Sequence, residues 1–191
     1  MIHETIVTSV DAQGPPHLAP FGIREEEGLV VIAPFRPSAT LDNLLSSRTA
    51  VVNSTDDVRV FAGALTGRVQ WPLIAAKKIN GYRLQEALAH RELELVQVRE
   101  DARRPQLGFR VVHEETHLAF KGFSRAQAAV IELAILVSRL HMLPIEKIEA
   151  EIAYLEIAIQ KTAGEPELQA WSWLMERITN HKAGNSGDDV A

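Results

Sequence analysis

From Ile2 to Val10 the chain interleaves β-branched and apolar residues with polar ones, a pattern that predicts a strand. Asp11-Ala12-Gln13-Gly14 follows as a turn signal, and His17 to Ile23 resumes the extended pattern, so the chain opens with a predicted hairpin. A second turn at Glu26-Glu27-Gly28 leads into Leu29 to Ala33, a short apolar run stopped by Pro34, which reads as a buried strand. Ser38 can cap a short helix in which Leu41, Leu44 and Leu45 share a face. Thr49 to Asn53 then returns to β-branched sequence, giving the order β-β-β-α-β.

Asp56 and Asp57 can start a further helix that runs through Leu65. Between Gly67 and His90 no single period holds, and the segment, with Trp71-Pro72, a Lys pair and Asn80-Gly81, is read as one or two helices. Leu93 to Val98 and Phe109 to Val112 suggest two more strands joined through Arg103-Arg104-Pro105, completing a small barrel that ends near Phe123. Ser124-Arg125-Ala126-Gln127 then resembles a capping box, and an apolar helix runs from it to about Met142. Pro144 restarts the chain into a helix striped by Ile145, Ile148, Ile152, Leu155 and Ile159. Gly164-Glu165-Pro166 separates it from a third helix with Leu168, Trp171, Leu174 and Ile178 on one face. The expected organisation is therefore a barrel over residues 1–123, a three-helix unit over 124–182 and a disordered polar tail over 183–191.

Composition narrows the function. The 191 residues are 46% hydrophobic, enough for a full core, and 20 Lys and Arg oppose 25 Asp and Glu with the signs interspersed. No basic stripe offers itself to a phosphate backbone, so nucleic acid is not an expected partner. No apolar run reaches membrane-spanning length and the first residues carry no basic leader, so the expected compartment is the cytoplasm. With no cysteine, any chemistry falls to histidines, carboxylates or a bound organic cofactor.

Two constellations carry candidate chemistry. In Arg36-Pro37-Ser38-Ala39-Thr40-Leu41-Asp42-Asn43 a helix start exposes backbone N–H groups and a partial positive charge beside two hydroxyls and a guanidinium, as a phosphate requires. The alternative is that Ser38 or Thr40 only caps the helix. His113-Glu114-Glu115-Thr116-His117 matches the HExxH pattern of zinc peptidases, whose chemistry needs a helix to bring both histidines to one metal. The preceding Phe109-Arg110-Val111-Val112 reads as strand, in which residues four apart lie about 13 Å from each other, so no metal is expected there. His3 and His17 could face a ligand or solvent; Trp171 reads as core, and Asp56-Asp57 as complement to a helix dipole.

The series Ala19 to Gly22 (APFG), Ser38 to Leu44 (SATLDNL) and Val51 to Asp57 (VVNSTDD) resembles the FMN-binding split β-barrel superfamily. Within it the chain is similar to the DUF447 family, through Glu4 to Val7 (ETIV) and the long segment from Phe123 to Leu143. The resemblance implies a split barrel followed by helices, and a homodimer holding FMN near the subunit interface. It implies that Arg36, Ser38 and Thr40 take the phosphate, that Asn43 supports the loop or reaches the ribityl chain, and that Pro20, Phe21 and Gly22 present backbone to the flavin ring with Asn53 bonding nearby. Redox chemistry on a small molecule is the implied activity, with simple ligand binding as the alternative. No catalytic residue and no substrate follow from it.

Overall fold

The structure is a computed structural model and describes residues 1–11 and 15–184. The Ala12-Gln13-Gly14 part of the expected first turn, and the expected tail from residue 185 onward, lie outside the described residues. By its internal contacts the described chain forms two units, residues 1–55 with 71–120, and residues 56–70 with 121–184.

The first unit is a closed six-stranded barrel. Its strands are β1 (Ile2–Ser9), β2 (His17–Glu26), β3 (Leu29–Ile32), β4 (Thr49–Ser54), β7 (Ala89–Arg99) and β8 (Gln106–Thr116), ordered β1-β2-β3-β8-β7-β4 around the wall. Two short strands, β5 (Leu73–Ala75) and β6 (Tyr82–Leu84), pair only with each other. Every neighbouring pair is antiparallel, so side chains alternate between barrel interior and exterior. Val7, Ala50, Val52 and Leu93 point inward with Ile32, Leu107 and Phe109, all at most 2% exposed. The helix α1 (Ala39–Ser47) adds Leu41 and Leu44 to that core, whereas Leu45, which the sequence spacing put on the same face, is exposed. The β2–β3 turn places both Glu27 and Gly28 at positive φ, 53° and 78°, as a two-residue hairpin turn with the strands' twist requires.

The segment from Gly67 to His90 is not helical. It contains β5, β6 and the start of β7, joined by irregular chain. The reason lies outside the segment. The fully buried Glu92 on β7 accepts the backbone N–H groups of Lys77 and Lys78 at 2.6 Å each and of Ile79 at 3.2 Å. Asn53 of β4, also fully buried, accepts Leu84 N–H at 2.8 Å and donates to Ile6 C=O and Thr8 Oγ1 at 3.0 Å. Two polar side chains on the outer face of the barrel thus replace the hydrogen bonds a helix would have made within itself. β8 is also longer than its apolar run, extending through His113-Glu114-Glu115-Thr116.

The second unit is helical: α2 (Val58–Leu65), α3 (Arg125–Val137), α4 (Ile145–Thr162) and α5 (Glu165–Lys182). Asp57 caps α2 through Arg59 N–H at 3.0 Å, and Ser124 caps α3 through Gln127 N–H at 3.3 Å. The Gln127 amide turns to Glu167 at 3.2 Å instead of back to the cap. The core joins Val58 and Ala62 of α2 to Ala129, Val130 and Leu133 of α3 and to Ala170, Leu174 and Ile178 of α5. The α4 stripe is shallower, with Ile148 and Ile159 buried and Ile152 and Leu155 only partly so. Trp171 is likewise partly buried, and Trp173 carries the Arg68 guanidinium 4.8 Å above its ring.

Two predictions follow from this packing. Asn53→Ala orphans Leu84 N–H and Ile6 C=O inside the wall and should cost about 2–4 kcal/mol in urea unfolding; an unchanged midpoint would show that the amide is not what holds β6. Truncation after Phe123 removes α3 and α5 from Val58 and Ala62, and the product should aggregate on size exclusion, whereas a soluble monodisperse fragment would contradict the shared core.

Candidate functional site

The loop from β3 into α1 is held from two sides. Arg36 N–H donates to Arg103 C=O at 2.8 Å, and Arg104 Nε donates to Ala33 C=O at 2.8 Å with its guanidinium 5.0 Å from the Phe35 ring. The β7–β8 turn making these contacts is itself fixed by Asp101, which accepts the N–H groups of Arg103 and Arg104 at 2.8 and 2.7 Å. Those bonds to Arg104 and Arg103 keep the Asp101 carboxyl below its ordinary range. Arg103 and Arg104, which the sequence marks only as a turn, thus shape the loop that carries Arg36.

Ser38 is the N-cap of α1: its Oγ accepts Leu41 N–H at 3.2 Å and donates to Phe35 C=O at 2.7 Å. An α-helix leaves its first N–H groups without carbonyl partners, so this end keeps donors and a partial positive charge for an anion. The Arg36 guanidinium meets Glu100 at 3.2 Å in an exposed pair, weak enough to be redirected. Thr40 is 3% exposed and belongs to the buried side of α1. Asn43 donates from Nδ2 to Ser9 Oγ at 3.2 Å, tying α1 to the end of β1, where Ser9 stands opposite His17 of β2. Burial holds His17 below the usual histidine range, which favours its neutral form.

Pro20, Phe21 and Gly22 pair with Ile6, Thr5 and Glu4 of β1. β3 pairs with β2 only from Arg24 to Glu26, so among the described residues no strand occupies the other edge of His17 to Ile23. α1 contacts both β1 and β2. Phe21 packs on the barrel core, and its carbonyl accepts Thr5 Oγ1 at 3.0 Å. A Cβ on Gly22 would stand 2.8 Å from Ile2 Cγ2, so a side chain there would displace Ile2. The structure therefore groups Arg36, Ser38, Thr40 and Asn43 on one loop and helix, and sets Pro20 to Gly22 on a half-open strand that the helix touches. Asn53 stands apart from them on the outer wall, with its amide engaged by backbone and Thr8.

The HExxH stretch lies on β8 and just beyond it, with His113, Glu115 and His117 partly buried and Glu114 and Thr116 exposed in alternation. Glu114 is on the opposite face from the histidines, so the helical peptidase geometry is absent. Register creates a different grouping. His90 stands opposite Glu115, and Glu92 opposite His113, on one face of β7–β8. His90 Nδ1 is 2.9 Å from His117 Nε2, and His90 Nε2 is 3.3 Å from Glu92 Oε1. Burial holds His90 below the usual histidine range against the opposing pull of Glu92, and burial, helped by Arg83, does the same to His117. Burial alone would raise Glu92, but the N–H groups of Lys77 and Lys78, with His90, outweigh it and keep the carboxyl low. The Lys77 ammonium, 2.9 Å from Glu115, holds that carboxyl low as well. His90 and Glu92 carry no local sequence motif; only strand register brings them to Glu115 and His113.

Residues 3–118 match the N-terminal domain, and residues 124–176 the C-terminal domain, of the family described as a protein of unknown function, DUF447. Among solved structures, the FMN-bound protein MM1853 from Methanosarcina mazei superposes with a TM-score of 0.79 at 20% identity, over 92% of this chain and 94% of that one. The 2-nitrobenzoate 2-nitroreductase NbaA from Pseudomonas fluorescens superposes at 0.52 and 22% identity, over 60% and 64% of the two chains. An FMN-binding protein from Thermus thermophilus does so at 0.50 and 16%, over 59% and 69%. None of the curated proteins matches the chain in sequence. These likenesses give its barrel the fold of the FMN-binding split barrels, and the two matched domains make the chain a member of the DUF447 family.

Proposed function

We propose that this protein binds FMN without a covalent link and works as a redox flavoprotein on a small molecule. The observation that carries the reading is the start of α1, where unpaired first-turn N–H groups, the Ser38 cap and a redirectable Arg36 meet beside a strand with one open edge. The phosphate takes the helix end and Arg36, turned away from Glu100. The Ser38 hydroxyl already donates to Phe35 C=O, so it reaches the phosphate only by giving up that bond; otherwise it serves by shaping the turn. Thr40 and Asn43 fix the helix against the barrel. The open edge of Pro20, Phe21 and Gly22 offers backbone groups to the ring, while Asn53 holds the strands behind it. Bound FMN would supply electron transfer; the chain supplies binding and orientation. Similarity to the FMN-bound relative over nearly the whole chain supports this choice of ligand.

A homodimer belongs to the same reading. Ile2 and Phe35 of the barrel unit are 63% and 64% exposed, which favours burial against a second copy. A non-catalytic FMN carrier is the second reading, because the same helix end serves either purpose.

Protein incubated with FMN and desalted should retain a flavin absorbance band, and Arg36→Ala should weaken FMN binding about tenfold to a hundredfold through loss of a charge-assisted bond. Equal affinity in wild type and variant would remove Arg36 from the site. Anaerobic addition of a nicotinamide donor to the loaded protein separates the two readings: bleaching of the band is the redox outcome, and a band that persists with every donor favours the carrier.

A further inference from the structure

The cluster on the outer face of β7–β8 is independent of the flavin reading. One ligand atom each from His90, His113 and Glu115 lies within 4.8 Å of the others. His113 Nε2 is shielded from solvent and has no hydrogen-bond partner, and leaving such an atom unsatisfied costs about 1–3 kcal/mol. Its nearest charged group, the Glu115 carboxylate, is at 3.8 Å, beyond hydrogen-bond reach. A metal ion between them gives His113 Nε2 the partner it lacks.

We propose that His90, His113 and Glu115 form a binding site for a divalent transition metal of the zinc type, built across two strands. Two imidazoles and one carboxylate suit zinc or iron(II), whereas magnesium and calcium favour oxygen donors. Zinc bonds of about 2.0–2.2 Å place tetrahedral ligands about 3.3 Å apart, so the three donors must close by roughly 1.5 Å, within the reach of side-chain rotation.

The surroundings have the form that metal sites use to orient their ligands. His90 Nε2–H directed at Glu92 fixes the tautomer that leaves Nδ1 as the lone-pair donor, and Glu92 is itself held by three backbone N–H groups. His117, its ring stacked on His90, lies outside the three-donor group and meets His90 Nδ1 through its Nε2 at 2.9 Å, a hydrogen bond that His90 gives up when that nitrogen takes the metal. Lys77 contacts both Glu115 oxygens, at 2.9 and 2.8 Å, and keeps one while the metal takes the other.

The test uses the full chain, stripped with a chelator and desalted. Titration with Zn2+ in a calorimeter, and elemental analysis after desalting, should show one zinc per chain. His113→Ala and Glu115→Gln should each weaken uptake at least tenfold, while His141→Ala, on an exposed turn of the other unit, should leave it unchanged. Absence of stoichiometric uptake, or uptake of equal strength in the two ligand variants, overturns the proposal. Should the variants fail to fold by circular dichroism, Co2+ added to the wild type decides it. An intense visible band from a low-coordinate site supports the proposal, and the weak spectrum of hydrated Co2+ overturns it.

Discussion

A carboxylate placed inside a protein must find donors or give up its charge, and Glu92 finds them in three consecutive backbone N–H groups from Lys77 to Ile79. That constraint organises one side of the barrel. It draws an irregular loop onto the wall, leaves β5 and β6 pairing only with each other, and turns His90 so that the Nε2 edge of its ring faces Glu92. Asn53 does the neutral version of the same work one row away, joining β1, β4 and β6 through a single amide. Apolar packing closes the barrel, while these two polar groups determine what covers it.

The opposite logic governs α1. Its position is set by Leu41 and Leu44, which enter the barrel core, and its electrostatic end is thereby presented at a fixed place beside β2. The placement of the N–H groups at that end is a consequence of hydrophobic packing. Because β3 is only four residues long and meets β2 at its far end, the wall stays half open where that helix sits.

Much of this was legible in the sequence. The first three strands, the capped α1, β4 and the Asp57-capped α2 follow from local period and turn chemistry, and Arg36, Ser38, Thr40 and Asn43, which the DUF447 resemblance grouped, lie on one loop and helix. The stretch from Gly67 to His90 was not legible, because its conformation is set by Glu92 and Asn53, which lie elsewhere in the chain. Reading HEETH along one strand separated His113 from His117 correctly in kind. It could not show that His90, 23 residues earlier, would stand across from Glu115, since register is a property of two strands and the motif lies on one.

The placement of α2 has a consequence in time. The ribosome delivers Val58 and Ala62 well before their partners on α5, such as Leu174 and Ile178. At ordinary elongation rates the interval is on the order of 10 s, long compared with the microseconds in which a helix forms and frays. An apolar helix face must therefore wait in the nascent chain while the rest of the barrel sequence is made. The short length of α2, and the glycine and threonine that follow it, limit how much sticky surface is displayed meanwhile.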